Sequence, residues 1–208
     1  MYDVKNHVGQ KGVRKVMSGY IHIYCGNGKG KTTAAIGLSI RSAGAGIPVV
    51  FTQFMKDGTS FEISILESIP NVSVYYAKER FGFSWTLTEE EKQIAKSIYT
   101  GLFLNVVQEL VEISQKEKNK EETLLEKKED HPTAVLILDE VISAYNYDMI
   151  HQDVVLKWLQ KKPTGVEVVL TGRDPKPELL ELAGYVTEMK KKAHVYEKGI
   201  HARKGIEK

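Results

Sequence analysis

SGYIHIYC, residues 18–25, runs straight into GNGKGKTT, residues 26–33, and then into AAIGLSIRSA, residues 34–43. The first piece alternates apolar and polar residues and is rich in β-branched and aromatic side chains, which predicts a strand. From Lys31 to Ala43 the Ala, Ile and Leu residues recur at helical spacing, and Gly44-Ala45-Gly46 supplies a stop. A glycine loop between a strand and a helix is the context in which phosphate is cradled. Glycines let backbone amides approach phosphate oxygens closely, and the helix N-terminus adds a favourable dipole. Lys31 offers a cation for phosphate charge, and the Thr32 hydroxyl is placed to ligate Mg²⁺. The general pattern G-x-x-x-x-G-K-T asks for glycine at position 25, where this chain has Cys25. Gly30-Lys31-Thr32 is intact, and the flanking strand and helix argue against a glycine-rich turn with a chance lysine.

Working outward, Pro48–Phe54 reads as a second strand, and Val72–Tyr76 as a third after the Ile69-Pro70-Asn71 break. Leu87–Ile113 has a long helical pattern opened by Thr88, with Glu91 three residues on as its capping-box partner. AVLIL at 134–138 is a continuous apolar run, as expected of a strand buried on both faces, and 165–170 repeats it. Tyr185–Met189 makes a last strand. Strands alternating with helices predict an α/β fold of the P-loop NTPase (RecA-like) kind, a mostly parallel sheet with helices on both faces. Ligands in such sheets bind at the carboxyl ends of strands. The glycine loop, Asp139-Glu140 and Thr171-Gly172-Arg173 all fall at such ends and are expected to converge. A carboxylate after an apolar strand can bind Mg²⁺ directly or through water, or accept from a ribose hydroxyl. It can also simply favour the dipole of a following helix.

Composition excludes more than it assigns. The chain has 208 residues with 42% hydrophobic and 27% charged residues, enough for one well-buried domain. We place that domain at 18–208, preceded by a basic segment at 1–17. A net charge of +2 gives no electrostatic footprint for nucleic acid. No apolar run approaches the roughly 18 residues of a membrane span, and the N-terminus lacks the apolar region of a secretory signal. The single cysteine, Cys25, cannot form an internal disulfide, so a cytoplasmic setting is expected. With no ligand-spaced Cys or His near it, Cys25 reads as a small buried residue at a strand end. QKEKNKEETLLEKKED, residues 115–130, mixes both charge signs and reads as a solvated insertion.

These residues together resemble the P-loop corrinoid adenosyltransferase family of cobalamin synthesis and salvage. The resemblance extends from about Gly19 to Glu207. It rests on GNGKGKTTAA at 26–35, a loop type that itself lacks the first P-loop glycine, and on Gln53-Phe54-Met55-Lys56. It rests also on Phe83-Ser84-Trp85 after Gly82, on Leu138-Asp139-Glu140 and Thr171-Gly172-Arg173, and on the tail from His194 through GIHARKGIE at 199–207. Serine stands at 84 where the family pattern has threonine, and Lys208 where an aromatic often follows.

The resemblance implies that Co(I) of a corrinoid such as cobalamin attacks C5′ of ATP and that triphosphate leaves in one piece. Gly26, Asn27, Gly28, Lys29, Gly30, Lys31, Thr32 and Thr33 would then take the phosphates, with Lys31 the chief cation and Lys29 a helper. Thr32 and Glu140 would hold Mg²⁺ (or Mn²⁺), with Asp139 behind them, and Arg41 and Arg173 would contact the nucleotide. The resemblance assigns to Phe83 and Trp85 the displacement of the lower axial donor of cobalt, which eases reduction to Co(I). It further implies an electron donor such as a reduced flavoprotein, and a homodimer with the N-terminal segment laid over a partner's site. The alternative is a P-loop ATPase or kinase that uses the same loop conventionally on an unknown substrate.

Overall fold

A computed structural model describes residues 19–79, 81–82, 87–123 and 131–207. Phe83, Trp85, the basic segment 1–17 and the 124–130 part of the charged stretch lie outside the described residues.

Six strands form one sheet in the order β3-β2-β4-β5-β1-β6, and every pairing is parallel. They are β1 (Ile21–Cys25), β2 (Val49–Gln53), β3 (Val72–Tyr76), β4 (Ala134–Asp139), β5 (Val166–Thr171) and β6 (Tyr185–Glu188). The helices are α1 (Lys31–Gly44), α2 (Glu62–Glu67), α3 (Glu89–Thr123), α4 (Val141–Asn146), α5 (Gln152–Gln160) and α6 (Pro177–Leu180). The expected strands are all present to within one or two residues, except that the first begins at Ile21 rather than Ser18. The sheet is wholly rather than mostly parallel. Four short helices, α2, α4, α5 and α6, come in addition to the two that periodicity marks.

Burial on both faces explains the parallel pairing. All five residues of β2 and all six of β4 are buried, and β5 is buried but for Glu167. On one face Ala35 and Ala43 of α1 and Ile63 and Leu66 of α2 pack on Val49, Phe51, Val135, Ile137 and Val169. On the other, α3 lays Ala95, Tyr99, Phe103, Val106 and Leu110 over Val50, Leu136, Leu138 and Val168. Those α3 residues recur every three or four positions, the helical stripe that faces a core.

The helix ends follow local chemistry. The Thr88 amide donates to Glu91 Oε2 at 2.8 Å, and the Glu91 amide donates to Thr88 Oγ1 at 3.2 Å, which is the expected capping box. α1 stops in a Schellman turn, with Gly46 at φ 77°, Gly46 N–H donating to Ala43 O and Ile47 N–H to Ser42 O. α3 continues ten residues past the expected Ile113, so part of the charged stretch is the end of that helix. Among the described residues no helix is long and apolar enough to cross a membrane.

Candidate active site

At the carboxyl ends of four strands the backbone takes a positive φ. Gly26 after β1, Met55 after β2, Glu140 after β4 and Gly172 after β5 have φ of 104°, 59°, 59° and 151°. Two of the four carry side chains in a backbone region that costs L-residues roughly 1–2 kcal/mol. Such strain persists where the surrounding structure over-determines it, which is common at functional sites.

Beneath these turns lies a row of polar side chains. Strand register sets Gln53 beside Asp139, and Leu138 beside Leu170, so Asp139 is followed across the sheet by Thr171. All three are fully buried. Asp139 Oδ1 accepts from Thr32 Oγ1 at 2.9 Å and from Thr171 Oγ1 at 2.7 Å. Its Oδ2 accepts from Gln53 Nε2 and Lys56 Nζ, each at 3.2 Å. A buried carboxylate is costly unless its lone pairs are met, and here four donors meet them. The Thr32 contact also orients a ligand: its proton is committed to Asp139, so its lone pairs remain for a cation above.

Glu140 takes a different position from Asp139. Its amide donates to Thr171 Oγ1 at 2.9 Å, while its carboxylate accepts from Ser143 Oγ at 2.7 Å and lines the cavity. It precedes α4 but makes no side-chain capping bond to that helix. The left-handed turn thus separates two adjacent acids, one sealed in the floor and one facing the cavity.

In the loop, Lys31 is buried and its Nζ donates to Gly26 O at 2.9 Å and Gly28 O at 3.0 Å. Burial pulls its pKa below the ordinary lysine value, with Arg173 adding to the fall and Glu140 and Asp139 opposing it. One expectation needs correction: not every loop amide is free for phosphate. Gly28 N–H donates to Met189 O at 2.6 Å, and Lys191 N–H donates to Asn27 Oδ1 at 2.8 Å. A Cβ on Gly26 or Gly28 would sit 2.5 or 2.6 Å from that Met189 carbonyl. These two glycines therefore admit the strand leaving β6, and the loop is held from outside by the chain's own backbone. Cys25 is buried at the strand end as expected.

A cavity of about 720 Å³ opens over the loop. Asn27, Gly28, Lys29, Gly30, Lys31, Thr32, Thr33, Glu140 and Arg173 line it, so nine of the expected site residues meet there. Gly26 sits just behind, at the end of β1. Arg41 is not brought to it: it lies in the last turn of α1, ten residues along the helix from Lys31, on an exposed face. Three groups of lining residues came with no expected role. Lys56 follows β2, Ser60 and Phe61 lead into α2, and Glu62 is its first residue. The C-terminal tail folds back as a roof through His194, Val195, Tyr196, Ile200, His201, Ile206 and Glu207. The tail is anchored at its start by the Met189 and Lys191 bonds, and nearer its end Lys204 Nζ stands 5.0 Å from the centre of the Phe61 ring. Position at the carboxyl end of β2 is the signal that could have flagged Lys56, and the tail is marked only by the family motif at 194–207, with no role attached.

Hard oxygen donors from Thr32 and Glu140, with Asp139 behind, suit Mg²⁺. Among the described residues no group of three or more His, Cys, Asp or Glu side chains forms a metal cage. A divalent ion here would lean mainly on phosphate oxygens and water, as Mg²⁺ usually does. On the side of the sheet away from the cavity, Phe81 packs edge-on to Tyr99 with ring centres 5.6 Å apart, and Gly82 beyond it is exposed.

Sheet topology and loop geometry define a P-loop nucleotide-binding protein of the α/β class. Comparison with known proteins narrows the class. The chain belongs to the family described as ATP:corrinoid adenosyltransferase BtuR/CobO/CobP, whose model matches residues 17–207. It is 30% identical over 190 residues to the corrinoid adenosyltransferase of Pseudomonas aeruginosa, covering 91% of this chain and 83% of that one. It is 31% identical over 192 residues to that of a Sinorhizobium species, covering 91% and 80%. The corrinoid adenosyltransferase of Escherichia coli K12 is 31% identical over 191 residues, covering 91% and 85%.

Proposed function

We propose that this enzyme transfers the 5′-deoxyadenosyl group of ATP to Co(I) of a corrinoid, releasing inorganic triphosphate, in the synthesis or salvage of adenosylcobalamin. The cobalt electron pair forms the Co–C5′ bond while the C5′–O bond breaks, and the bonding pair of that C–O bond departs on the triphosphate oxygen. No proton has to move in this step. What the protein must supply is positive charge where the leaving group gathers it. The observation that carries the reading is the placement of Lys29, Lys31 and Arg173 around one cavity with the Thr32–Asp139 pair in its floor.

Each residue then has a role. Lys31, already held in the loop by two carbonyls, turns to the phosphates, assisted by Lys29 and the loop amides of Asn27, Gly30, Thr32 and Thr33. Thr32 and Glu140 hold Mg²⁺ or Mn²⁺, which neutralises triphosphate charge when bound. Asp139 orients Thr32 and keeps the metal side anionic. Arg173 contacts the nucleotide from the end of β5, and Arg41 would need a movement of α1 or of the ligand to do so. Phe83 and Trp85 remove the lower axial donor of the corrinoid before reduction by a donor such as a reduced flavoprotein. The functional unit is a homodimer in which residues 1–17 cover the partner's site.

Protein, ATP, Mg²⁺ and chemically reduced cobalamin, mixed without oxygen, should give the spectrum of adenosylcobalamin and one equivalent of triphosphate. Orthophosphate or a phosphorylated acceptor in place of triphosphate would favour the conventional ATPase or kinase instead.

A further inference from the structure

We propose that Lys56 is a further cation for the departing triphosphate, resting on Asp139 until the nucleotide arrives. This rests on the transferase reading above and deepens it.

Lys56 lines the cavity beside Lys31, Thr32 and Arg173. Its Nζ stands 3.2 Å from Asp139 Oδ2, with the lysine side chain one-third exposed (33%) and the aspartate fully buried. A lysine that merely neutralised a buried carboxylate would be needed to satisfy it. Asp139 does not need it: Thr32 and Thr171 donate to one of its oxygens, and Gln53 donates to the other. The Lys56 contact, at 3.2 Å, is also longer than the 2.7–2.9 Å usual for an ammonium on a carboxylate.

The backbone points the same way. Phe54 N–H donates to Asp139 O at 2.9 Å, which pins the end of β2 to β4. At the next residue, Met55, the chain turns through φ 59°. A methionine in the left-handed region is disfavoured, and the turn brings Lys56 to the cavity edge. Lys31 and Lys56 are thus tethered unlike one another. Lys31 is gripped by two carbonyls of its own loop, whereas Lys56 is tethered by a single contact to the oxygen of Asp139 opposite the one Thr32 uses. A metal arriving beside Thr32 and a triphosphate arriving over the loop would approach that carboxylate together. Lys56 can then exchange Asp139 for a phosphate oxygen without leaving any buried acceptor unmet.

Calorimetric titration of inorganic triphosphate with Mg²⁺ into wild type, Lys56→Met, Lys56→Arg and Lys31→Ala tests this. Lys56→Met should bind triphosphate about tenfold more weakly or worse, and Lys56→Arg should recover most of the loss because it restores the charge. Thermal unfolding of both should stay near wild type. Wild-type affinity in a folded Lys56→Met, with Lys31→Ala impaired, overturns the proposal and leaves the transferase reading intact. So does a lowered melting temperature with unchanged affinity, which marks a structural counter-ion. Should Lys56→Met fail to fold, Lys56→Gln, which keeps a donor for Asp139 but no charge, takes its place under the same criterion. Absence of triphosphate binding in wild type would instead sink the transferase reading itself.

Discussion

The floor and the roof of the cavity are built by opposite means. Gln53, Asp139 and Thr171 in the floor are wholly buried, locked by strand register and bonded to one another. In the roof, Tyr196, Ile200, His201 and Glu197 are exposed. That segment is held by the bonds of Met189 and Lys191, by a Lys191–Glu197 ion pair, by an Arg203–Glu207 pair at 2.7 Å, and by Lys204 over Phe61. Exposed ion pairs stabilise by little, whereas a fully buried carboxylate cannot cheaply be left without donors. The floor is therefore the rigid side of the cavity, and the roof is the side held by weaker, exposed contacts. Regions of low local stability are where binding elements that must open are expected.

The contrast can be broken by substitution. The largest effect is expected from Lys31→Ala, which should lower turnover by a factor of roughly 10²–10³ or more, because the leaving group loses its nearest cation. The fold should survive, and steady-state kinetics beside thermal unfolding will show it. Asp139→Ala should act on the fold as well as the chemistry. Removing it strands Thr32, Thr171, Gln53 and Lys56, at an expected cost of about 2–4 kcal/mol in denaturant unfolding. A stable Asp139→Ala protein would mean that the floor is not the rigid element described here. Glu140→Gln faces the cavity and keeps its shape, so stability should hold while activity falls and the Mg²⁺ concentration for half-activity rises.

Protonation offers a finer probe of the same contrast. Burial lowers the Lys31 pKa below 10.5 in the free protein, so its charge is lost at lower pH than an ordinary lysine's. ATP binding should accordingly weaken on the alkaline side before pH 10.5, and Lys31→Arg should move that limb upward. The smallest effect is expected in the roof. Hydrogen bonds from Arg203 hold the Glu207 carboxyl down at about 2 against an ordinary 4.5. The contact is thus complete above about pH 4.5 and is lost as pH falls towards 2. The Arg203 amide, which donates to Glu207 Oε2 at 2.9 Å, should report that transition by NMR. Glu207→Gln should abolish the titration while changing the melting temperature little.

Much of the molecule was legible from residues 18–43 and from the apolar runs alone. Strand, loop and helix follow from period-two and helical spacing, and the Thr88–Glu91 cap and the Gly46 stop from local hydrogen bonding that needs no distant partner. α2 and α4, at six residues each, span under two turns and carry too few positions for a periodic signal. Phosphate chemistry in Lys31 and Thr32 was equally local, since loop, lysine and hydroxyl are contiguous. The sequence by itself thus determined the fold class, the phosphate loop and an acid pair at the end of β4.

Why the two acids sit differently was legible only in three dimensions, although the family resemblance already put Asp139 behind Glu140. Asp139 and Glu140 are adjacent and chemically alike. A left-handed turn sends one into the floor beneath Thr32 and the other into the cavity, and β4–β5 register then places Thr171 under the first. Likewise Gly26 and Gly28 look like phosphate glycines in the sequence, yet their missing side chains make room for the Met189 carbonyl. Gln53 and Lys56 meet Asp139 across 86 and 83 residues, and Lys191 of the tail meets Asn27 across 164. Side-chain chemistry is a property of each residue, but partnership across a parallel sheet depends on register and crossover, which are set by how all the strands bury their faces together.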